Sequence, residues 1–260
     1  MKIFYYQVDA FTGSVFSGNP AGVCLLDDWL EDEILQSIAA ENNLSETAFV
    51  IEEGDSYGLR WFTPVVEIDL CGHATLATAF VLLEHIVPSK DRVTFHSKSG
   101  VLSVARMDTM LAMDFPSRPA QPCQTPERLV KALGQKPRET RFSVRDCMAV
   151  FDTEQQVYTL RPDMQALCEI DAAGVIVTAP GTQSDFVSRF FAPREGIPED
   201  PVTGSAHSTL IPYWAERLQK STLHALQISK RGGELFCENH GDRVQIAGKA
   251  ALFLQGTITI

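Results

Sequence analysis

The chain repeats itself. Arg60-Trp-Phe-Thr-Pro64, then Glu67 and Cys71-Gly72-His73-Ala74, returns as Arg189-Phe-Phe-Ala-Pro193, then Glu199-Asp200 and Thr203-Gly204-Ser205-Ala206. The arginines are 129 positions apart and the glycines 132, so the second copy holds three extra residues. Ser97-Lys98-Ser99-Gly100 returns as Ser229-Lys230-Arg231-Gly232, again 132 positions on. Matches in one order at nearly one offset mean a duplicated domain of about half the chain. Solenoid repeats are shorter and more numerous.

The patterning within each copy predicts the same kind of lobe. Residues 2–9 and 21–26 read as strands around a Gly/Ser/Asn/Pro loop, and Asp27/Asp28 open a helix closed by Asn42-Asn43. In Leu44–Ile51 the right half reads as a buried strand. The left half sets Ser45-Glu46-Thr47 at its entrance, and residues 57–63 pair back. The helix predicted over Thr75–His85 is apolar on nearly every face, so it must be buried all round. Strands at 91–97, 100–107 and 110–115 can wall it in.

The proline-rich stretch 116–125 reads as a linker, and 126–133 as a short helix. Strands are predicted at 142–151, 174–179, 185–192, 223–229, 234–238, 242–247 and 251–260. A second helix follows Gly204, and Pro212 should kink or restart it. The expectation is an α+β fold of two pseudo-symmetric lobes, 1–118 and 119–260, each a curled, barrel-like mixed sheet around a central buried helix. Whether the last strand returns to the first lobe is left open.

Composition narrows the partners. A net charge of −11 disfavours nucleic acid and anionic membrane but leaves a small anion possible. No apolar run is long enough to span a bilayer. The six cysteines lack metal-site spacing and read as reduced thiols, which with the absence of a signal-peptide pattern points to the cytoplasm. No Walker loop or dinucleotide fingerprint occurs, so no cofactor is expected, and no metal.

Both central helices begin Gly-X-Ala. Their first-turn N–H groups, facing one another across a cleft, would clamp an anion such as a carboxylate, or the glycines merely permit a tight turn. Cys71 at a helix start is either a base or nucleophile or a small buried residue. Its match in the second copy is Thr203, which argues against a two-thiol racemase. Glu46 is either a solvated strand end or a site carboxylate; it has no second-half counterpart, where Asp171-Ala-Ala-Gly174 stands. Asp200 corresponds roughly to Asp69, and His207 reads as packing.

Asp9-Ala-Phe-Thr12, Phe16–Ala21, Glu41–Phe49, Cys71–Thr75, Glu199–Ala206 and Ser229–Gly233 together resemble the phenazine-biosynthesis isomerase-like family, within the diaminopimelate-epimerase-like fold. The resemblance implies a cofactor-free homodimer that moves a proton between carbons of a small carboxylic acid. In the type enzyme the substrate is dihydro-3-hydroxyanthranilate, and one glutamate is both base and acid. By motif that glutamate is Glu46, acting with His73 and Asp200, while Asn19, Ser45, Gly72, Gly204 and Ser205 line the site or hold the carboxylate. Glu46 is then expected to be partly desolvated. The alternatives are a Cys71-dependent racemase and a non-catalytic acid-binding protein of the same fold.

Overall fold

The computed structural model describes residues 1–260 and divides into two compact units. The first comprises Met1–Asp114 with Ala247–Ile260, the second Phe115–Ile246. The division departs from 1–118 and 119–260 because the last strand belongs with the first.

In chain order, the first unit holds β1 (Lys2–Ala10), β2 (Asn19–Leu26), α1 (Asp32–Asn42), β3 (Glu46–Glu53), β4 (Ser56–Phe62), β5 (Glu67–Ile68) and α2 (Gly72–Val81). A π turn over Leu82–Ile86 ends α2, and β6 (Arg92–Ser97), β7 (Gly100–Met107) and β8 (Met110–Pro116) follow. The second unit holds β9 (Gln121–Cys123), α3 (Glu127–Leu133), β10 (Glu139–Phe142), β11 (Asp146–Val150), α4 (Glu154–Thr159), α5 (Met164–Leu167) and β12 (Gly174–Pro180). Then come β13 (Phe186–Ala192), β14 (Ile197–Asp200), α6 (Gly204–Leu218), β15 (Thr222–Gln227), β16 (Gly233–Asn239) and β17 (Arg243–Gly248). The closing β18 (Ala250–Thr259) lies antiparallel to β1.

The duplication appears strand by strand. From β1 through β2, β3, β4 and β6 to β7, successive pairs run antiparallel, parallel, antiparallel, parallel and antiparallel. From β10 through β11, β12, β13 and β15 to β16 the order is the same. Each unit is thus a mixed sheet with a central helix. Nine residues of α2 are buried, and the helix packs on β1, β2, β3 and β18. α6 packs on β15 and β16.

All three repeated sequence elements brace the short chain that leads into the central helix. Arg60 grips Glu67 at 2.8 and 2.9 Å, and Arg189 grips Glu199 at 2.7 and 3.0 Å. The Ser-Lys elements supply a hydroxyl to the same stretch: Ser99 Oγ donates to the Asp69 carbonyl and Ser229 Oγ to the Pro201 carbonyl.

Four local expectations need correction. Residues 142–151 are not one strand, because a turn in which Ser143 Oγ accepts from the Asp146 N–H separates β10 from β11. The linker at 116–125 contains β9, which pairs with β10. α1 begins at Asp32 rather than at Asp27/Asp28, since Asp28 instead accepts from the Trp29 N–H. α6 continues through Pro212 without a restart. The Ser208 carbonyl, which proline cannot serve, accepts from the Arg118 N–H at 2.9 Å. The short α4 and α5, capped by Thr153 and Asp163, lie in a stretch without helical periodicity.

The loop before β2 depends on a left-handed turn. Gly18 has φ +66°, and a Cβ there would lie 2.2 Å from the Ala10 carbonyl oxygen. Gly18→Ala should therefore cost on the order of 2–3 kcal/mol, read as a lower urea midpoint with unchanged slope.

Candidate active site

β3 and α2 bring Glu46 and His73 together although 26 residues separate them in the chain. Glu46 opens β3 beside β2, with Ala21 as its cross-strand partner, and is 5% exposed. His73 occupies the first turn of α2 and is 4% exposed. Its Nε2 lies 3.1 Å from Glu46 Oε2. The N–H direction is poorly aligned with that oxygen, so neither atom has a well-formed hydrogen bond to protein. A carboxylate and an imidazole this deeply buried are costly unless a partner completes them.

The opposite ring edge is held by other groups. Asn19 Nδ2 lies 3.1 Å from His73 Nδ1, and Cys71 Sγ lies 3.5 Å from the same nitrogen. Burial, then the Glu46 charge, pushes the Cys71 thiol up, against the pull of His73. For His73, burial works against the imidazolium. Cys71 and then Glu46 outweigh it and hold the ring well above its ordinary range.

Glu46, Cys71 and His73 offer one donor atom each within 4.8 Å. Nδ1 is the ring nitrogen near the thiol and Nε2 the one near the carboxylate, so the imidazole can pass a proton between its two edges. Ser45 is half-buried next to Glu46, and Gly72 opens α2.

The second unit contains Asp200, Gly204 and Ser205. Asp200 ends β14 and is 7% exposed, and its Oδ2 accepts from Thr203 Oγ1 at 2.5 Å. Gly204 begins α6, and Ser205 is half-buried. Neither central helix has an acidic residue in its first turn to compete with an anion for the N–H groups.

Strand register explains why the two units are not chemical twins. In the first, Ala21 pairs with Glu46 at the start of β3; in the second, Asp146 pairs with Gly174 at the start of β12. Gly174 is therefore the structural match of Glu46. A Cβ there would lie 2.1 Å from the Phe190 ring, so an aromatic side chain fills the space a second carboxylate would need. Likewise, Trp61 pairs with Ile68 and Phe190 pairs with Asp200. The match of Asp200 is Ile68, not the exposed Asp69. Each unit keeps one acidic group at a position the other has made non-acidic.

Sequence reasoning missed Gln227. This fully buried side chain holds the loop before α6, accepting from the Thr203 N–H and donating to the Asp200 carbonyl, each at 2.8 Å. A glutamine between Leu226 and Ile228 in the strand predicted at 223–229 is the available signal.

His207 is a packed core histidine. Its Nδ1–H donates to the Thr203 carbonyl at 2.8 Å, and burial pushes its pKa down to about 4 against that bond. The unfolded chain takes up this proton near pH 6.5. The neutral ring therefore favours folding fully above about pH 6.5, and that contribution is lost as pH falls towards about 4. His207→Gln should flatten the dependence of the urea midpoint on pH between those values relative to wild type.

The two matched mixed sheets with central helices define the diaminopimelate-epimerase-like class of α+β protein. A probable proline racemase from Agrobacterium radiobacter shares that fold, with TM-score 0.65 over 99% of this chain and 92% of its own at 12% identity. Nearer relatives are specific. A family model described as phenazine biosynthesis-like protein (PhzC-PhzF) matches residues 8–256, and this chain belongs to that family. An uncharacterised isomerase of Pseudomonas aeruginosa is 52% identical over 258 residues, 99% of each chain. The crystal structure of a PhzF-family phenazine biosynthesis protein from Enterococcus faecalis is 49% identical, with TM-score 0.97 over the whole of both chains. The chain is an enzyme of this isomerase family.

Proposed function

We propose that the protein is a cofactor-independent isomerase that moves a proton between carbons of a small carboxylic acid, with Glu46 as both base and acid. The observation that carries the proposal is the buried Glu46 carboxylate facing His73 Nε2 at 3.1 Å, neither atom having a well-formed hydrogen bond to protein. A substrate C–H would complete the site at Glu46, and His73 would steer the carboxylate between its two protonation states. The substrate carboxylate binds first-turn N–H groups at the start of a central helix, which Gly72 or Gly204 opens. Asn19, Ser45, Asp200 and Ser205 bind its other substituents. The substrate is a cyclic or amino acid, and the enzyme works as a cytoplasmic homodimer.

A Cys71-dependent racemase is the second reading, since Cys71 begins α2 beside His73. Against it stand the upward push of burial on the thiol and the hydroxyl of Thr203 at the matching place. A binding protein without catalysis is the third reading.

The test is proton NMR in deuterated water with a panel of cyclic and amino carboxylic acids, dihydro-3-hydroxyanthranilate among them. Deuterium entering a carbon position supports the isomerase, whereas ligand binding without exchange for any member favours the binding protein. Exchange lost in Cys71→Ala, but kept in Glu46→Gln, would favour the racemase.

A further inference from the structure

We infer that Gln227 is a positioning residue for Asp200, acting through the hydroxyl of Thr203. The inference rests on the proposed role of Asp200 in substrate binding and names the group that aims it.

Gln227 is 1% exposed at the end of β15, where Ser188 of β13 and Gly233 of β16 are its strand neighbours. Its amide can face only one way. Oε1 meets a donor, the Thr203 N–H at 2.8 Å, and Nε2 meets an acceptor, the Asp200 carbonyl at 2.8 Å. Turning the amide over would place two donors and two acceptors against each other. With this orientation fixed, Nε2 also donates to Thr203 Oγ1 at 3.2 Å. The hydroxyl has one proton, and with a donor at its lone pair that proton is left to Asp200 Oδ2, 2.5 Å away.

The chain of donation thus runs from the Gln227 amide through the Thr203 hydroxyl to the Asp200 carboxylate. Every polar group of Thr203 is engaged, since its carbonyl accepts from His207 Nδ1. A pre-oriented hydroxyl beside a carboxylate sets where the carboxylate points before any substrate arrives. Supporting residues of this kind let a site hold its geometry.

The first unit has nothing of this kind at the matching place. Cys71, the counterpart of Thr203, turns its side chain to His73 instead. The same helix-start position therefore serves the imidazole in one unit and the carboxylate in the other.

Gln227→Met keeps the volume of the side chain and removes all three hydrogen bonds. The first readout needs no substrate: native-state hydrogen exchange in labelled protein. The Thr203 N–H should exchange at least about tenfold faster in the variant, beyond any change at amides of β12, which report overall stability. The second uses deuterium incorporation into dihydro-3-hydroxyanthranilate for wild type, Gln227→Met, Asp200→Asn and the double variant. Gln227→Met should lower kcat/KM about tenfold in wild type, and by nothing further in Asp200→Asn.

Unchanged Thr203 protection overturns the inference, as does an equal loss from Gln227→Met in both backgrounds, the mark of a merely structural role. An Asp200→Asn enzyme as active as wild type would instead remove Asp200 from the machinery, overturning the proposed site along with the inference. The Asp200→Asn arm alone tells these failures apart.

Discussion

Replacing Glu46 by Gln is expected to abolish carbon–hydrogen exchange while leaving ligand affinity within a few-fold of wild type. The amide keeps the shape and the polar contact with His73 but cannot accept or return a proton at this pH. General acid–base groups contribute about 10²–10⁴-fold. Where one residue serves both half-steps, the loss should lie at the upper end. The measurement is deuterium incorporation against a binding isotherm for the same acid. Comparable exchange by variant and wild type would rule out the role assigned to Glu46. Loss of binding in parallel would show only that the site had been damaged.

Arg189→Ala should be the most damaging of the simple surface-to-core truncations near the helix starts, by about 3 kcal/mol. The Arg189 side chain is 9% exposed and grips Glu199 with two hydrogen bonds. It also donates to the carbonyls of Val157 and Leu160 at the end of α4, at 3.1 and 3.0 Å. Alanine would leave a half-buried carboxylate and two carbonyls without their donor. Arg60 makes the matching pair with Glu67, but its 18% exposed side chain spends its other contact on Asp32, which is 71% exposed. Arg60→Ala should therefore cost about 1 kcal/mol. A loss of 3 kcal/mol corresponds to a midpoint lower by on the order of 10 °C in thermal unfolding. Equal losses for the two arginines would show that the shared Arg–Glu pair, not the carbonyls under Arg189, sets the cost.

These two arginines show how far sequence and structure each reach. Their repetition is visible in the chain, and with it the duplication, because three matched segments keep their order and spacing. The sealed interior of α2 is visible as well, since an uninterrupted apolar helix has no face to give to water. So is the family, carried by short motifs spread from Asp9 to Gly233.

The partners of these motifs are not visible. Reading by residue type equates Asp200 with nearby Asp69, but strand register equates it with Ile68, as does counting back from the two glycines, because the three extra residues fall earlier, between β13 and β14. Offset alone also places no glutamate opposite Gly174, and only the Phe190 ring shows why none fits.

What the sequence by itself determined, then, is local and periodic: the repeat, the buried helices, the turn residues and the motif chemistry. Tertiary structure alone decided which of those residues meet. The contact between Glu46 and His73, the clamp of Gln227 on Thr203 and the continuity of α6 through Pro212 each join groups brought near by strand pairing or helix packing. Such encounters leave no periodic signal in the chain, because the free energy that fixes them comes from burying partners that are remote in sequence.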